Sequence, residues 1–592
     1  MAIIQALANI GIEAEFYNID FFRPTRDEVR EYFASSNYDV IGISAVVSTA
    51  YEYTKWLSGA IREVLPDVVI ILGGNLGASA EILLRKTEVD VCVVGDGEII
   101  IQNLVNAIRK APMRSTFKES FQNIEGICYL DESNDFIFTG YGPRPDKKHI
   151  EYPDYRILEK DGSVDYFFPS DGVFDLHLHA SDRHKTVIPA ITKSATVMAA
   201  KGCVARCTFC HRWEKGYRAK SVEEIISHIR YLQSQYGIDA ITFSDENFGA
   251  DRELTRGLAE ELGKLRLPWK VAGVRARTVT RDDLKLWAEN GCLIAHFGIE
   301  SGSQKILDVM EKQATVEENI NALKWTGEAG IATIIQLVIG MPGEDDKTIK
   351  ETTEFLTKVS PYILEWKFRP PSELISINYA QALPGTPLYE YLREQGKIGR
   401  TLQAEESYLL RISDTDAYKD DHFINCTDSP LLKVLMWRWI ILSELDAHHF
   451  RFTQGKSSLS LKEIFEYYLK LILVKIGLHT SKDAALQVDP RQDLTFGGYF
   501  NVQRTPKLSP LLLNRLTRPL FYPVLAIFVA FFKGGSFSTG IPLIASHTAW
   551  SMGFNRRKNK NPEMSLRKIV KISKDASAAD ESPDMVPLRL GR

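Results

Sequence analysis

Three of the seven cysteines in this 592-residue chain, Cys203, Cys207 and Cys210, fall within one short stretch. Their Cys-x3-Cys-x2-Cys spacing lets a tight backbone wrap bring three thiolates to a single iron-sulfur centre. A cubane has four irons, so three ligands leave one iron open, and an open iron suggests chemistry where full ligation would suggest electron transfer alone. Two rival readings use the same residues. His211 could help hold a zinc ion, although adjacent Cys and His rarely reach one tetrahedral ion without a second, distant pair of ligands. Cys207-Thr208-Phe209-Cys210-His211 also matches the c-type haem attachment pattern, which belongs outside the cytoplasm, and nothing here resembles an export signal. Unrelated buried cysteines are the plain alternative, and the clustering argues against it.

With the aromatic Phe209 just before its last cysteine, this loop resembles the signature of the radical S-adenosylmethionine (radical SAM) superfamily. The resemblance implies that Cys203, Cys207 and Cys210 hold a 4Fe-4S cluster whose open iron chelates the amino and carboxylate groups of SAM. It also implies reductive cleavage of SAM to methionine and a 5′-deoxyadenosyl radical, which abstracts hydrogen from unactivated carbon.

Such a loop needs a scaffold. From Ser194 to about Pro387 the chain repeats strand then helix, with the cysteines after a first strand expected over Ala195 to Ala200. Ser221-Val222-Glu223-Glu224 forms a capping-box pattern, and Val222, Ile225, Ile226, Ile229 and Leu232 trace one helical face. Later strands, expected over Ala240–Phe243, Trp269–Val274, Leu293–Phe297 and Thr333–Ile339, end in polar or Gly-rich residues, where barrels of this topology place active sites. SAM presents an ammonium, a carboxylate and ribose hydroxyls, which want carboxylate or amide oxygens, a cation and acceptors such as Glu. By resemblance, Asp245, Asn247, Arg275, Gly298, Glu300 and Ser301 are its contacts, with Phe209 near adenine. Gly340-Met341-Pro342-Gly343-Glu344 and Leu383-Pro384-Gly385-Thr386-Pro387 are further family-like turns.

Upstream, from Met1 to about Lys110, short apolar runs at Tyr38–Ser44, Val68–Leu72 and Val89–Val94 alternate with helical stretches, one carrying Trp56, Ala60, Ile61 and Val64 on a face. Glycines at strand ends, Gly73-Gly74 and Gly95-Asp96-Gly97-Glu98, let backbone approach a ligand at the carboxyl edge of a sheet. A generic Rossmann-like nucleotide site would explain this much. Taken with the cysteine loop downstream, the stretch is similar to the cobalamin-binding domain that precedes the radical SAM barrel in one large subfamily. That implies Ser44, Gly73, Gly74, Gly95, Gly97 and Glu98 as cobalamin contacts. No histidine precedes His149, so bound cobalamin would have no axial imidazole from this domain. Met1 itself reads as lying inside the first helix.

The expected architecture is α/β: a Rossmann-like cobalamin-binding domain over 1–115, a junction over 116–190 and a radical SAM partial (β/α)6 barrel over 191–390. A mainly helical C-terminal domain over 391–555 and a basic tail over 556–592 would follow. His177, His179 and His184 in the junction read as a half-buried polar strand more readily than a metal site. The apolar run Pro519–Phe532 contains Pro523, is too short to span a bilayer and reads as a core or lid helix. Interfacial docking beside the basic residues from Arg556 to Lys571 is the sharper alternative.

Composition agrees with a globular enzyme: 44% hydrophobic and 25% charged residues, with a formal net charge of -4 that gives no global attraction to nucleic acid. Cysteine usage fits a reducing compartment, so a cytoplasmic home is expected, peripheral to a membrane at most. The expected function is cobalamin-dependent radical SAM methylation of an unactivated carbon in a small-molecule or lipid-like substrate, drawing electrons from a donor such as flavodoxin or ferredoxin. A radical cyclase or oxidative rearrangement enzyme uses the same parts. A tRNA methylthiotransferase should add a second cysteine trio, whereas Cys92, Cys128, Cys292 and Cys426 are scattered; a cobalamin or iron-sulfur carrier would need only the binding residues.

Overall fold

The computed structural model describes residues 1–110, 120–143, 146, 151–160, 162–169, 191–211, 216–367, 370–414, 423–475, 508–533, 541 and 543–548. His177, His179, His184 and the 556–592 tail lie outside the described residues.

Two sheets dominate. The first has five strands, β1 (Val40–Ser44), β2 (Val69–Gly73), β3 (Val91–Val93), β4 (Ile127–Leu130) and β5 (Phe136–Phe138), in that spatial order. The first two pairings are parallel and the last two antiparallel. β2 and β3 are apolar and buried almost throughout, as strands covered on both faces must be. β4 and β5 form an antiparallel hairpin that adds two strands to this sheet, carrying it past residue 115 and into the stretch expected as a junction. The helix Tyr51–Val64 buries Tyr51, Leu57, Ala60 and Ile61 against it, while Trp56 and Val64 sit at the margin of that stripe. Cys92 and Cys128, far apart in sequence, face each other across β3 and β4; both are buried, which pushes their thiols well above the usual range.

The second sheet has order β13-β12-β11-β10-β9-β6, all parallel: β6 (Ser194–Val197), β9 (Ala240–Phe243), β10 (Trp269–Val274), β11 (Cys292–Glu300), β12 (Ala332–Ile339) and β13 (Ile375–Tyr379). Six parallel strands linked by helices make the partial barrel that the strand-helix alternation predicts. The helix Val222–Tyr236 opens on the expected capping box, with the Ser221 hydroxyl accepting from Glu224 N–H and the Glu224 carboxylate accepting from Ser221 N–H at 2.8 Å. The first strand departs from expectation. It ends at Val197, and Ala200–Lys201 instead forms a separate short strand β7, paired antiparallel with β8 (Arg218–Ala219). The three cysteines occupy the loop between β7 and β8.

Beyond the barrel the described elements are helical. Leu402–Ile412 returns to the first sheet's layer, where Glu406 accepts from Tyr51 Oη at 3.0 Å and pairs with Lys55. Leu431–Gln454 packs on the barrel helix Asp346–Val359, where Trp437 Nε1 donates to Asp346 at 3.0 Å. The apolar run forms the helix Arg518–Phe528, which buries Phe521 and Leu525 and sets Phe528 against Trp439. None of the described helices is long and apolar enough to cross a membrane.

Candidate active site

The cysteine loop is fixed from several sides. At its neck Gly202 has φ +87°, and a Cβ there would stand 2.5 Å from the Gly216 carbonyl oxygen, so only glycine lets the two strands close. Thr208 holds the middle: its N–H donates to Met310 O and its hydroxyl to Val309 O, both at 3.0 Å, and its own carbonyl accepts from Leu388 N–H at 3.0 Å. Cys203, Ala205 and Cys207 form a small buried cluster with Phe209 against it, while Cys210 is exposed. Among the described residues no three metal-binding side chains converge on one point.

The strand-end residues divide into two groups. Asp245 and Asn247 are buried; one Asp245 oxygen accepts from Ala199 N–H at 2.9 Å and Ala200 N–H at 2.7 Å. Its other oxygen, both polar atoms of the Asn247 amide and Nε of Arg275 have no hydrogen-bond partner among the described residues. Burial pushes the Asp245 carboxyl up to about 7, against the pull of the Ala200 and Ala199 N–H groups. Buried polar atoms left unpaired are costly, and a set of them along one edge marks where a polar ligand would settle the account.

The second group is already engaged. Arg275 donates through Nη2 to the Lys312 carbonyl. Glu300 has φ +65°, a conformation uncommon for a residue with a side chain, and pairs with Lys312 Nζ at 2.9 Å. A Cβ on Gly298 would stand 2.6 Å from Glu300 Oε1 and 3.1 Å from Lys312 Nζ, so glycine there makes room for the pair. Burial opposes the Lys312 charge, yet Glu300 and Cys207 lift its ammonium above the ordinary value, which puts a cation beside a cluster-loop thiol. Ser301 departs most from expectation: its hydroxyl lies 3.3 Å from that of Thr352 and accepts from Ser303 N–H, which ties it to the helix Asp346–Val359. Thr208 carries no spacing signal of its own; only the fold reveals that it holds the loop.

At the first sheet's carboxyl edge Gly74 has φ +96°, and a Cβ on it would stand 2.3 Å from the Ala45 carbonyl oxygen. Around Gly73 and Gly95 a Cβ would meet nothing within 4 Å, and Ser44 is exposed, so this edge is open. Ser48 and Ser79 beside it are buried with hydroxyls lacking a hydrogen-bond partner among the described residues. Gly97 differs from its neighbours in the turn: it starts the helix Gly97–Lys110, and its Cα packs against Ile3. Glu98 gives one oxygen to Lys201 at 2.9 Å. The two edges meet at Gly385, where a Cβ would stand 2.7 Å from His211 Nε2 and 3.1 Å from the Ala78 Cβ.

Comparison with known proteins agrees with this division. Residues 1–105 match the B12 binding domain and residues 197–356 the radical SAM superfamily. The anaerobic magnesium-protoporphyrin IX monomethyl ester cyclase of Rubrivivax gelatinosus is 26% identical over 355 residues, 59% of each chain. An uncharacterized methyltransferase of Pyrococcus horikoshii, PH0819, is 26% identical over 383 residues, 62% of this chain and 72% of that one. The cobalamin-dependent SAM radical enzyme OxsB, solved with aqua-cobalamin and SAM bound, superposes with a TM-score of 0.55 at 16% identity over 96% of this chain and 80% of that one. The chain thus spans about three fifths of the length of the cyclase it matches. A B12 binding domain thus precedes a radical SAM domain in this chain. The cofactors of that pairing are a 4Fe-4S cluster, SAM and cobalamin.

Proposed function

We propose that the protein methylates an unactivated carbon of a small-molecule or lipid-like substrate, with the cluster loop and the open glycine edge as two halves of one active site. The observation that carries this reading is the row of buried, unpaired polar atoms on Asp245, Asn247 and Arg275 beside the cysteine loop. Cys203, Cys207 and Cys210 would hold the cluster, and the two carboxyl-terminal edges would hold SAM and cobalamin. When bound, the cluster and SAM supply a 5′-deoxyadenosyl radical and cobalamin a transferable methyl group.

The chain's own groups have distinct tasks. The free Asp245 oxygen and the Asn247 amide oxygen suit the SAM ammonium, Arg275 Nε and the Lys312 ammonium suit its carboxylate, and Glu300 suits the ribose hydroxyls. Phe209 offers an apolar face for adenine. Gly298 keeps the Glu300–Lys312 pair low, and Ser301 acts at one remove by anchoring the bend after Glu300. At the other edge Gly73, Gly74 and Gly95 bring backbone close to the corrin, with Ser44, Ser48 and Ser79 as hydrogen-bonding hydroxyls. A buried, water-poor barrel edge protects radicals from quenching. Electrons would come from a flavodoxin- or ferredoxin-type donor.

Cyclisation or oxidative rearrangement is the second reading, favoured by the match to a cyclase. One experiment separates them without knowledge of the substrate. The anaerobically reconstituted protein, loaded with reduced cobalamin, is given SAM bearing a deuterated methyl group. Deuterated methylcobalamin together with S-adenosylhomocysteine is the expected result. Formation of 5′-deoxyadenosine with neither of those products would overturn methylation in favour of rearrangement.

A further inference from the structure

Four charged residues join the two halves. Lys201 Nζ lies 2.8 Å from Asp96 Oδ1 and 2.9 Å from Glu98 Oε1, and Arg218 Nη2 lies 2.7 Å from Asp96 Oδ2. All four side chains are largely buried. Lys201 and Arg218 belong to β7 and β8, the two stalks of the cysteine loop, and are direct partners in register. Asp96 lies in the turn after β3 and Glu98 in the first turn of the helix Gly97–Lys110 that follows, at the open edge of the first sheet.

This arrangement is lopsided in an informative way. A ribbon of two residues per strand is too short to be stable alone, and like charges directly opposite one another weaken a strand pair further. β7 and β8 have both handicaps. What offsets the repulsion between Lys201 and Arg218 is the acidic turn of the other domain. That turn is flanked by Gly95, at φ +106°, whose Cα faces open space at the crevice. A ligand seated against Gly95 therefore bears on the same few residues that hold the neck of the cysteine loop, one residue from Gly202 and two from Cys203.

We propose that Asp96, Glu98, Lys201 and Arg218 are positioning residues that couple occupancy of the cobalamin crevice to that of the cluster loop, so that each cofactor binds more tightly when the other is present. The inference rests on the two-cofactor reading above. The coupling is thermodynamic and must be reciprocal: if a loaded cluster loop tightens cobalamin binding, bound cobalamin tightens cluster retention by the same factor. A chain that settles its cluster loop only against an occupied cobalamin domain would hold its open iron in register with the second cofactor.

The test uses the full chain and hydroxocobalamin as probe. Its dissociation constant is measured for protein with an intact cluster and for the same protein stripped of iron by a chelator, and cluster iron loss is followed with and without saturating hydroxocobalamin. Wild type is expected to bind the probe about tenfold more tightly with the cluster present. In K201Q/R218Q both effects should fall to near one while each cofactor still binds and the melting temperature holds, whereas K201R/R218K, which keeps the charges, should retain the wild-type ratio. Should the neutral double variant fail to fold, K201Q alone, which leaves the Arg218–Asp96 pair, must lower the ratio about threefold or more. An unchanged ratio in the neutral variants, or a wild-type ratio of one, overturns the coupling and leaves the two-cofactor reading standing. Cluster-loaded wild type that binds no hydroxocobalamin overturns the two-cofactor reading itself.

Discussion

The two carboxyl-terminal edges are built from different materials. The edge of the five-stranded sheet is open and built from backbone: Gly73, Gly74 and Gly95, with Ser44 exposed and the aliphatic Val46 and Val47 more than half exposed. The barrel edge is closed and built from buried side chains: Asp245, Asn247, Arg275 and Lys312 are each less than a tenth exposed. A large macrocycle is gripped by removing side chains so that backbone can approach, whereas a compact zwitterion is gripped by placing charge and amide groups where water cannot compete. Sequence conservatism at the first edge would therefore concern absence of bulk, and at the second the identity of polar groups.

The largest effect should come from the residues that belong to one half alone. Cys203→Ala, Cys207→Ala or Cys210→Ala is expected to abolish cluster assembly, measured as bound iron and its charge-transfer absorbance, and to reduce 5′-deoxyadenosine formation to background. Hydroxocobalamin should still bind, though more weakly. If any of the three retained a full cluster, the ligand set would have to be redrawn.

At the glycine edge two neighbouring substitutions separate fold from ligand. Gly74→Ala forces a Cβ to 2.3 Å from the Ala45 carbonyl oxygen at φ +96° and should cost on the order of 2 kcal/mol or more of stability, read as a lowered melting temperature. Gly73→Ala meets no atom within 4 Å and has no such backbone constraint, so its melting temperature should hold while hydroxocobalamin affinity falls. Unchanged affinity in Gly73→Ala would remove that glycine from the crevice lining.

The barrel edge invites the opposite experiment. Asn247 is fully buried with both amide atoms lacking a partner among the described residues. Asn247→Ala removes an unsatisfied polar group, so stability should stay level or rise, while SAM affinity measured by calorimetry should drop about 10- to 100-fold. A destabilised variant with normal SAM affinity would show that the amide serves the fold.

These contrasts also explain what could be read from the chain. Strand cores such as Val69–Leu72 and Ala240–Phe243 and the capping box at Ser221 are local patterns, and each formed within a residue or two of expectation. The cysteine loop was legible because its ligand set is contiguous. Lys201 and Asp96 were not, since an ion pair between residues 105 positions apart leaves no periodicity. A Gly or Ser at a strand end looks the same in sequence whether it faces a cofactor or a helix, and only the fold shows Gly97 against the Ile3 side chain and Ser301 against the Thr352 hydroxyl. Calling Cys92 and Cys128 scattered was true of the chain and untrue of the sheet, although a buried, opposed pair of thiols still makes no third ligand.

The effect confined to the narrowest conditions, a single pH window, tests the dryness of the barrel edge. Glu344 follows β12 and is buried; one of its oxygens accepts from the N–H groups of Gly340 and Met341, and the other has no hydrogen-bond partner among the described residues. Burial pushes its carboxyl up to about 8, against the pull of those two N–H groups. In the unfolded chain the same carboxyl titrates near 4.5. Between those values the folded protein keeps a proton that the unfolded chain has released, so this residue's contribution is intact below pH 4.5 and is lost as pH rises to about 8. Glu344→Gln keeps the acceptor for both N–H groups and cannot ionise. The variant should match wild type near pH 4.5 and exceed it above pH 8 by an amount on the order of a few kcal/mol, measured as denaturant midpoints across that range. Parallel curves would mean that Glu344 is ionised and solvated at neutral pH, which would make the barrel edge as wet as the glycine crevice and erase the distinction between them.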